Sequence, residues 1–473
     1  MAGITSIGAY IPVYRLSREE IGKMWGGRSG AGTKAVAGYD EDTVTMAVAA
    51  TLDCLKKGGA STDGLFLATT TAPYREKLSA GIVASAADLK EECQAADFTD
   101  SLRSGTAALK AAIDAVAAGS AKNITVVAAD SRLGAAKGAL EQTLGDGAAA
   151  IMIGKEKVIA EIEGGYSLWS DFTDIWRTDE DKFPRSAEGR FIDEAGYLPL
   201  MQSVITGLLK KYKLDLKDFS NVVYYASDAR QHAALTRRLK LEKTQVQDPL
   251  YNDIGNTGTA AVFLMLVAAL EKAKPGDKIL FVGYGDGADA FILRATDEIK
   301  KFQKKPMISR LLAGKTTINY GQYLTWRGLI PAELSTLPER TPLSLQSRWR
   351  ERKAIYALYG LKCKKCGAPQ FSQIGQTPRV CVNCQVKDNF GPYKFSDKKA
   401  ALFTYSVDQL MPTLNPPGVS GVIDFEEGGR LICELTDCNI DKLKIGMAVE
   451  LEVYKLYEDE QGNDVMTFHF KQV

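Results

Sequence analysis

From Ile4 to Leu293, short apolar runs rich in β-branched residues alternate with alanine-rich stretches, the pattern of strands joined by crossover helices. It predicts an α/β domain. The runs Ile124-Thr-Val-Val-Ala128 and Lys278-Ile-Leu-Phe-Val-Gly283 each follow an alanine-rich helix and each lead toward a glycine-rich turn. This similarity is part of a longer repeat. Gly145-Asp-Gly-Ala-Ala-Ala150 followed by Ile-Met-Ile returns as Gly285-Asp-Gly-Ala-Asp-Ala290 followed by Phe-Ile-Leu, and Gly105-Thr-Ala-Ala108 returns as Gly258-Thr-Ala-Ala261. Two matches in the same order indicate an internally duplicated domain, with halves at 1–155 and 156–330. Glycine suits such junctions because it permits positive φ and close backbone approach.

Residues 296 to 345 carry scattered lysine, proline and glycine, with Lys300-Lys301 and Lys304-Lys305 near the start, and read as a surface connection. Ser347 to Leu361 reads as a helix, with Trp349, Ile355, Tyr356 and Tyr359 as its apolar side. The linker and helix are set at 331–361, a cysteine-bearing module at 362–390 and a last domain at 391–473. From Ala400 to Val473 the chain alternates in strand fashion, with turns at Glu427-Gly-Gly429 and Gln461-Gly-Asn463, which predicts a small β-barrel.

Length changes this picture little: 473 residues fit several domains. Charge excludes more. With 59 basic and 58 acidic residues the net charge is +1, which gives no global field for nucleic acid. There is no apolar run of bilayer length and no basic-then-apolar leader at the N-terminus, so the expectation is a cytoplasmic protein with neither membrane nor nucleic-acid partner.

Four of the eight cysteines form two tight pairs, Cys363-Lys-Lys-Cys366 and Cys381-Val-Asn-Cys384, fourteen residues apart. Four soft thiolates in tetrahedral reach predict zinc in a ribbon, and a filled coordination shell makes the ion structural. Cys54, Cys93, Cys433 and Cys438 are left over.

The opening Gly3-Ile-Thr-Ser-Ile-Gly-Ala-Tyr-Ile-Pro-Val-Tyr-Arg-Leu16, with Asp40-Glu-Asp-Thr-Val-Thr-Met-Ala47, Gly255-Asn-Thr-Gly258 and Gly283-Tyr-Gly-Asp-Gly287, resembles the 3-hydroxy-3-methylglutaryl-CoA synthase family of the thiolase superfamily, to about residue 330. The stretch from Ser347 through Leu-Tyr-Gly-Leu-Lys-Cys-Lys-Lys-Cys-Gly resembles the acyl-CoA-associated OB-fold proteins that accompany thiolases. The resemblance implies a five-layered αβαβα thiolase fold followed by a zinc ribbon and an OB-fold. It also implies a coenzyme A thioester as substrate, a homodimer and a partner thiolase.

The family's chemistry uses a cysteine nucleophile, a glutamate base and a histidine. Matching the motifs puts Leu102 at the cysteine, ahead of Ser104-Gly105-Thr106, and Thr70 at the glutamate, ahead of Pro73-Tyr74. Tyr225, after Asn221-Val-Val-Tyr224, falls at the histidine. All three roles have changed. Ser101 and Cys93 lie nearby as replacement nucleophiles. The chain has two histidines: His469 reads as a strand residue and His232 as part of a surface helix.

A retro-aldol reaction beside a thioester needs no acyl-enzyme, only a base for the β-hydroxyl and stabilisation of the enolate. Tyr225 is the leading candidate base, or it fills the pocket; Asp228 and Tyr74 follow it. Asn256 of the Gly-Asn-Thr-Gly motif orients an oxyanion or closes the turn. Asp286 matches Asp146 of the first half, which suggests a turn role. Arg230, Arg237, Arg238 and Lys240 are the cations offered to coenzyme A phosphates, or a solvated helix face.

Overall fold

The computed structural model describes residues 2–59, 61–303, 306–331, 344–371, 378–411, 413–458 and 464–472. The chain divides into two compact units: 1–38, 42–83 and 90–329 form the first, and 39–41, 84–89 and 330–473 the second.

The first unit is built on strands β1 (Gly3–Tyr10), β2 (Gly64–Ala68), β3 (Gln94–Phe98), β4 (Ile124–Ser131), β5 (Asp146–Gly154), β6 (Ala160–Trp169), β7 (Asn221–Tyr224), β8 (Lys278–Tyr284) and β9 (Gly287–Ala295). Its main helices are α1 (Thr43–Gly58), α2 (Ser104–Ala118), α3 (Leu198–Tyr212), α4 (Ala229–Leu239) and α5 (Thr259–Leu270). The strands form one nine-stranded sheet in the order β7-β8-β9-β6-β1-β5-β4-β2-β3. The duplication is visible in it. β1, β5, β4 and β2 pair antiparallel, antiparallel and parallel. β6, β9, β8 and β7 pair in the same sequence of directions. The halves join where β1 meets β6, at Gly3↔Glu161 and Ile4↔Ala160.

Five layers follow from where the helices pack. α1 covers β1, β4 and β5 on one outside, and α3 covers β6, β8 and β9 on the other. Between them α2 lies against β2, β3, β4 and β5, while α5 touches α2, strands β4 and β5 of the first half and β7 and β8 of the second. The composition of α5 explains its place: Thr-Ala-Ala-Val-Phe-Leu-Met-Leu-Val-Ala-Ala-Leu is apolar all round, and only Ala261 is not fully buried. A helix with no polar face has to be an inner layer.

The stretch expected as a surface connection is packed. Met307–Ala313 and Tyr320–Trp326 are helices, the second started by a capping box between Asn319 and Gln322. Tyr320, Tyr323, Leu324 and Trp326 are buried, an apolar payload that lysine and glycine density concealed. Lys304, Lys305 and residues 332–343 lie outside the described residues.

In the second unit the helix expected from Ser347 to Leu361 is two short ones, Leu345–Arg350 and Arg352–Ala357. Leu358 then takes a left-handed conformation (φ +47°) and the chain enters β10 (Tyr359–Cys363). Trp349 is exposed, contrary to its expected place on an apolar side. β11 (Pro369–Gln370) and β12 (Phe390–Lys394) flank β10 antiparallel. Strands β13 (Ala400–Asp408), β14 (Gly418–Phe425), β15 (Arg430–Thr436), β16 (Ala448–Glu458) and β17 (Asp464–Gln472) close a barrel in the order β13-β14-β15-β17-β16. The turn expected at Gln461–Asn463 lies outside the described residues. No helix among the described residues is long and apolar enough to cross a membrane.

Candidate active site and metal centre

A cavity of about 690 Å³ opens in the first unit where the loops after β2, β3, β4 and β8 converge. Thr69, Thr70 and Thr71 follow β2, Asp100, Ser101 and Leu102 follow β3, Arg132 and Leu133 follow β4, and Gly285 and Asp286 follow β8. A segment from Asp174 to Pro184 supplies the remaining wall. Crevices at the carboxyl ends of strands are where open α/β sheets bind ligands.

One buried carboxylate, Asp130 at the end of β4, ties two of these loops together. Its Oδ1 accepts from Thr69 Oγ1 (2.8 Å), Thr70 N (2.7 Å) and Thr71 Oγ1 (3.1 Å). Its Oδ2 accepts from Thr259 N (2.7 Å) and so caps α5, whose own cap residue, Gly258, has no side chain to do it. Gly258 sits at φ +63°, and a Cβ there would stand 2.1 Å from Asp130 Oδ2. Glycine is therefore required at this close approach.

Leu102, at the expected nucleophile position, lines the cavity just before α2 and is half-buried. Gly285 presses on it: a Cβ at Gly285 would lie 2.7 Å from Arg103 N and 2.9 Å from Leu102 Cβ. Ser101 lines the cavity and its Oγ accepts from Arg103 N (3.2 Å). Cys93, immediately before β3 as expected, is not a lining residue, and burial with the nearby charge of Asp63 pushes its thiol pKa up. Thr70 lines the wall where a glutamate was sought, and its carbonyl accepts from Arg177 Nη2 (2.9 Å).

Tyr225 lies behind that wall, 3% exposed. Its Oη accepts from Asn256 Nδ2 (2.9 Å), and Tyr197 Oη donates to its carbonyl (2.6 Å). Burial raises its pKa, partly offset by the charge of Arg132 and the bond from Asn256. The phenol thus stays protonated, which makes it a donor and not the base expected from sequence. Asn256 closes the turn, its Oδ1 accepting from Gly258 N (3.0 Å), while its Nδ2, the group expected to orient an oxyanion, donates to Tyr225 instead. Neither residue lines the cavity.

Tyr74 does line it, with Lys77 Nζ 4.3 Å from its ring centroid. Asp228 instead caps α4, accepting from Gln231 N (2.8 Å). Arg230 pairs with Asp193 (3.1 Å) and Arg238 Nε donates to Gln202 (2.6 Å), while Lys240 ends α4 in a left-handed conformation. None of these, nor Arg237, is a lining residue; the cations that are lining residues are Arg75, Lys77, Arg132 and Arg177. His232 is buried in α4, not on a surface, stacked on Tyr224 at 4.5 Å, and burial holds its pKa down at about 4. His469 is the strand residue foreseen, in β17 of the second unit, with Nδ1 3.1 Å from Asp40 Oδ2. Among the described residues no histidine or cysteine lines the cavity.

Sequence reasoning missed two groups. Arg132 is 6% exposed, lines the cavity, and its Nη1 has no hydrogen-bond partner among the described residues. Asp174 is partly buried, and burial raises its carboxyl pKa against the bonds from Ile175 N and the Tyr284 hydroxyl. No motif surrounds Asp174. Arg132, however, directly follows the buried strand β4, and a cation closing a buried strand is a signal that sequence carries.

In the second unit the four ribbon sulfurs converge, all within 4.8 Å of one another, with Cys363–Cys384 at 3.7 Å and Cys366–Cys381 at 3.6 Å. Tetrahedral Zn–S bonds of about 2.3 Å place sulfurs about 3.8 Å apart, so the cluster fits that ion. The N–H groups of Asn383 and Cys384 point at Cys381 Sγ (3.4 and 3.5 Å), as in a knuckle that stabilises thiolate.

Residues 209–294 match the family model "3-Oxoacyl-[acyl-carrier-protein (ACP)] synthase III C terminal", and residues 393–453 match "ChsH2, C-terminal OB-fold domain". The chain is 33% identical over 335 residues to the hydroxymethylglutaryl-CoA synthase of Methanopyrus kandleri, covering 68% of this chain and 95% of that protein. It is 35% identical over 341 residues to that of Methanocaldococcus jannaschii, covering 69% and 99%. Among solved structures, an HMG-CoA synthase complexed with CoA superposes with a TM-score of 0.63 at 21% identity, over 72% of this chain and 95% of the other, which shows the shared fold.

Proposed function

The chain belongs to the hydroxymethylglutaryl-CoA synthase family of acyl-CoA condensing enzymes, and from that premise we propose that it makes or breaks a carbon–carbon bond beside a coenzyme A thioester without forming an acyl-enzyme. The observation that carries this is the cavity's lining: Leu102, which the motif match sets where the family's nucleophile is expected, is part of it, and no cysteine or histidine lines the cavity among the described residues. An aldol-type cleavage needs neither. Tyr225 supports the reading from behind the wall, where its oxygen accepts from Asn256 and its own proton meets no acceptor among the described residues, so it acts on the lining groups and does not meet substrate. Arg75, Lys77 and Arg177 supply cations for the coenzyme A phosphates, a better placement than the α4 residues Arg230, Arg237, Arg238 and Lys240. The ribbon cysteines hold structural zinc.

A second reading keeps an acyl-enzyme on Ser101, favoured by that residue's place in the cavity wall. Intact-mass measurement after incubation with acetyl-CoA and acetoacetyl-CoA separates the two. The aldol reading expects no adduct, cleavage of 3-hydroxyacyl-CoA esters, and loss of at least tenfold in kcat for Tyr225→Phe with the fold kept. An acyl group on Ser101 would replace it with the synthase reading. Binding without any turnover would instead leave an acyl-CoA-binding scaffold.

A further inference from the structure

The cavity has no glutamate at Thr70, but six aspartates line it: Asp97, Asp100, Asp174, Asp179, Asp181 and Asp286. Most have other duties. Asp97 accepts from Ser79 N and Ala80 N (both 2.8 Å), Asp181 is held by Arg185 (2.6 Å), and Asp179 faces Arg75 (3.7 Å). Asp100 accepts from Thr99 (2.9 Å) at an exposed position, and Asp286 is exposed. Asp174 is different: partly buried, it faces the hydroxyl of Tyr284, and no cation pairs with it among the described residues. The Tyr284 ring in turn lies parallel to that of Tyr225, 6.2 Å between centroids and 9° between planes. Asp174, from the 174–184 wall, and Tyr225 thus both flank Tyr284.

Arg132 is the complement. An arginine 6% exposed whose Nη1 is buried without a partner is costly to leave without an anion, and no ion pair joins it to Asp174 or to any other carboxylate among the described residues. The missing glycine side chain at Gly258 makes room for its arm, since a Cβ there would lie 2.9 Å from Arg132 Cδ.

We infer that Asp174 is the proton-transfer carboxylate of this cavity and Arg132 the cation that receives the enolate oxygen of a 3-hydroxyacyl thioester. The inference rests on the aldol reading and deepens it. In the cleavage direction the β-hydroxyl O–H bond breaks, its proton passes to an Asp174 oxygen, and its electron pair forms the C=O of the departing aldehyde or ketone. The Cα–Cβ bond breaks, and its pair enters the thioester as an enolate whose oxygen meets Arg132. The proton then returns from Asp174 to the enolate carbon. The carboxylate is regenerated and an acyl-CoA remains; no oxidant or reductant enters. A carboxyl whose pKa is raised by burial is a better partner for such a proton than an ordinary aspartate. The groups that face Asp174 are Tyr284 from β8, Asp286 from the following turn and Tyr225 from the end of β7. The cations Arg75, Lys77, Arg132 and Arg177 line the same cavity.

The test uses the full chain with a panel of 3-hydroxyacyl-CoA esters and mass detection of both products. Asp174→Asn should lose about a hundredfold or more in kcat with KM little changed, and the acid limb of the wild-type kcat/KM profile should disappear; Asp174→Glu should recover part of the rate. Arg132→Met should melt at the same temperature or higher, since it removes an unpaired buried charge. It should also bind an enolate mimic, a coenzyme A thioether bearing a carboxylate, at least tenfold more weakly. A wild-type protein that cleaves these esters while Asp174→Asn keeps its rate and pH profile overturns the assignment of Asp174 alone. A strongly destabilised Arg132→Met with undiminished affinity for the mimic overturns that of Arg132. A wild type that cleaves none of them overturns the aldol reading, and this inference with it.

Discussion

Replacing Asp130 by alanine removes the acceptor for four donors at once. Thr69 and Thr71 can turn to each other, their hydroxyls being 3.4 Å apart, and Thr71 already meets Thr43 at 2.8 Å. Thr70 N is half-buried beside the cavity and can find water. Thr259 N cannot: Thr259 is 1% exposed, at the first turn of an inner-layer helix. The orphaned buried N–H and the lost helix cap are one and the same bond, so the variant should lose about 1–3 kcal/mol locally. At about 1.4 kcal/mol per factor of ten, amides at the start of α5 should exchange with deuterium about five- to 140-fold faster. Hydrogen–deuterium exchange on peptides spanning residues 256–264 reads this directly. Asp130→Asn, which keeps one oxygen, should fall between. Unchanged exchange in the alanine variant would refute the claim that one carboxylate holds the threonine loop and the α5 terminus together.

Three further outcomes are expected. Gly285→Ala should abolish acyl-CoA binding in a titration and lower the melting temperature, because its Cβ would meet Arg103 N at 2.7 Å and Leu102 Cβ at 2.9 Å. The purified protein should release one zinc per chain to a colorimetric chelator, and Cys366→Ser should lower the metal content and loosen the ribbon while the first unit keeps its fold. Lys34, fully buried against Glu141 O (2.6 Å) and Tyr323 Oη (3.1 Å), has its pKa lowered by burial from 10.5 to about 7. Between those two values the unfolded chain binds the extra proton, so folding stability should rise with pH from about 7 to 10.5, by up to about 1.4 kcal/mol per pH unit from this group. Lys34→Met should flatten that part of a urea-midpoint-against-pH curve.

The repeats of glycine-rich turns made the duplicated sheet legible, because a strand–turn–strand junction needs glycine wherever backbones crowd. The stretch 259–270 was legible as an alanine-rich helix, and its inner place follows from its having no polar face. The two cysteine pairs announced a metal centre because ligand spacing is local. Local signals failed where partners are distant in sequence. Asp174 meets Tyr284 across 110 residues, and Asp130 meets Thr259 across 129. No window of sequence holds both ends of such a contact. The basic run on α4 misled for the complementary reason: charge density along a helix reveals exposure, not direction, and the cavity's four cations come from three separate segments. The buried helix Tyr320–Trp326 was obscured by the lysine and glycine of the stretch before it, although Tyr320, Tyr323 and Trp326 recur at helical spacing.

The two Gly-Asp-Gly turns have drifted apart in use. Asp146 is 2% exposed, accepts from Ala37 N and Arg132 N (both 2.7 Å), and faces Arg327 at 3.2 Å. Its counterpart Asp286 is exposed on the lip of the cavity, at φ +42°. Duplication thus left the architecture with a spare. While one copy of the turn is fixed by its three partners, the other is at liberty to change, so new chemistry can be tried at the lip without putting folding at stake.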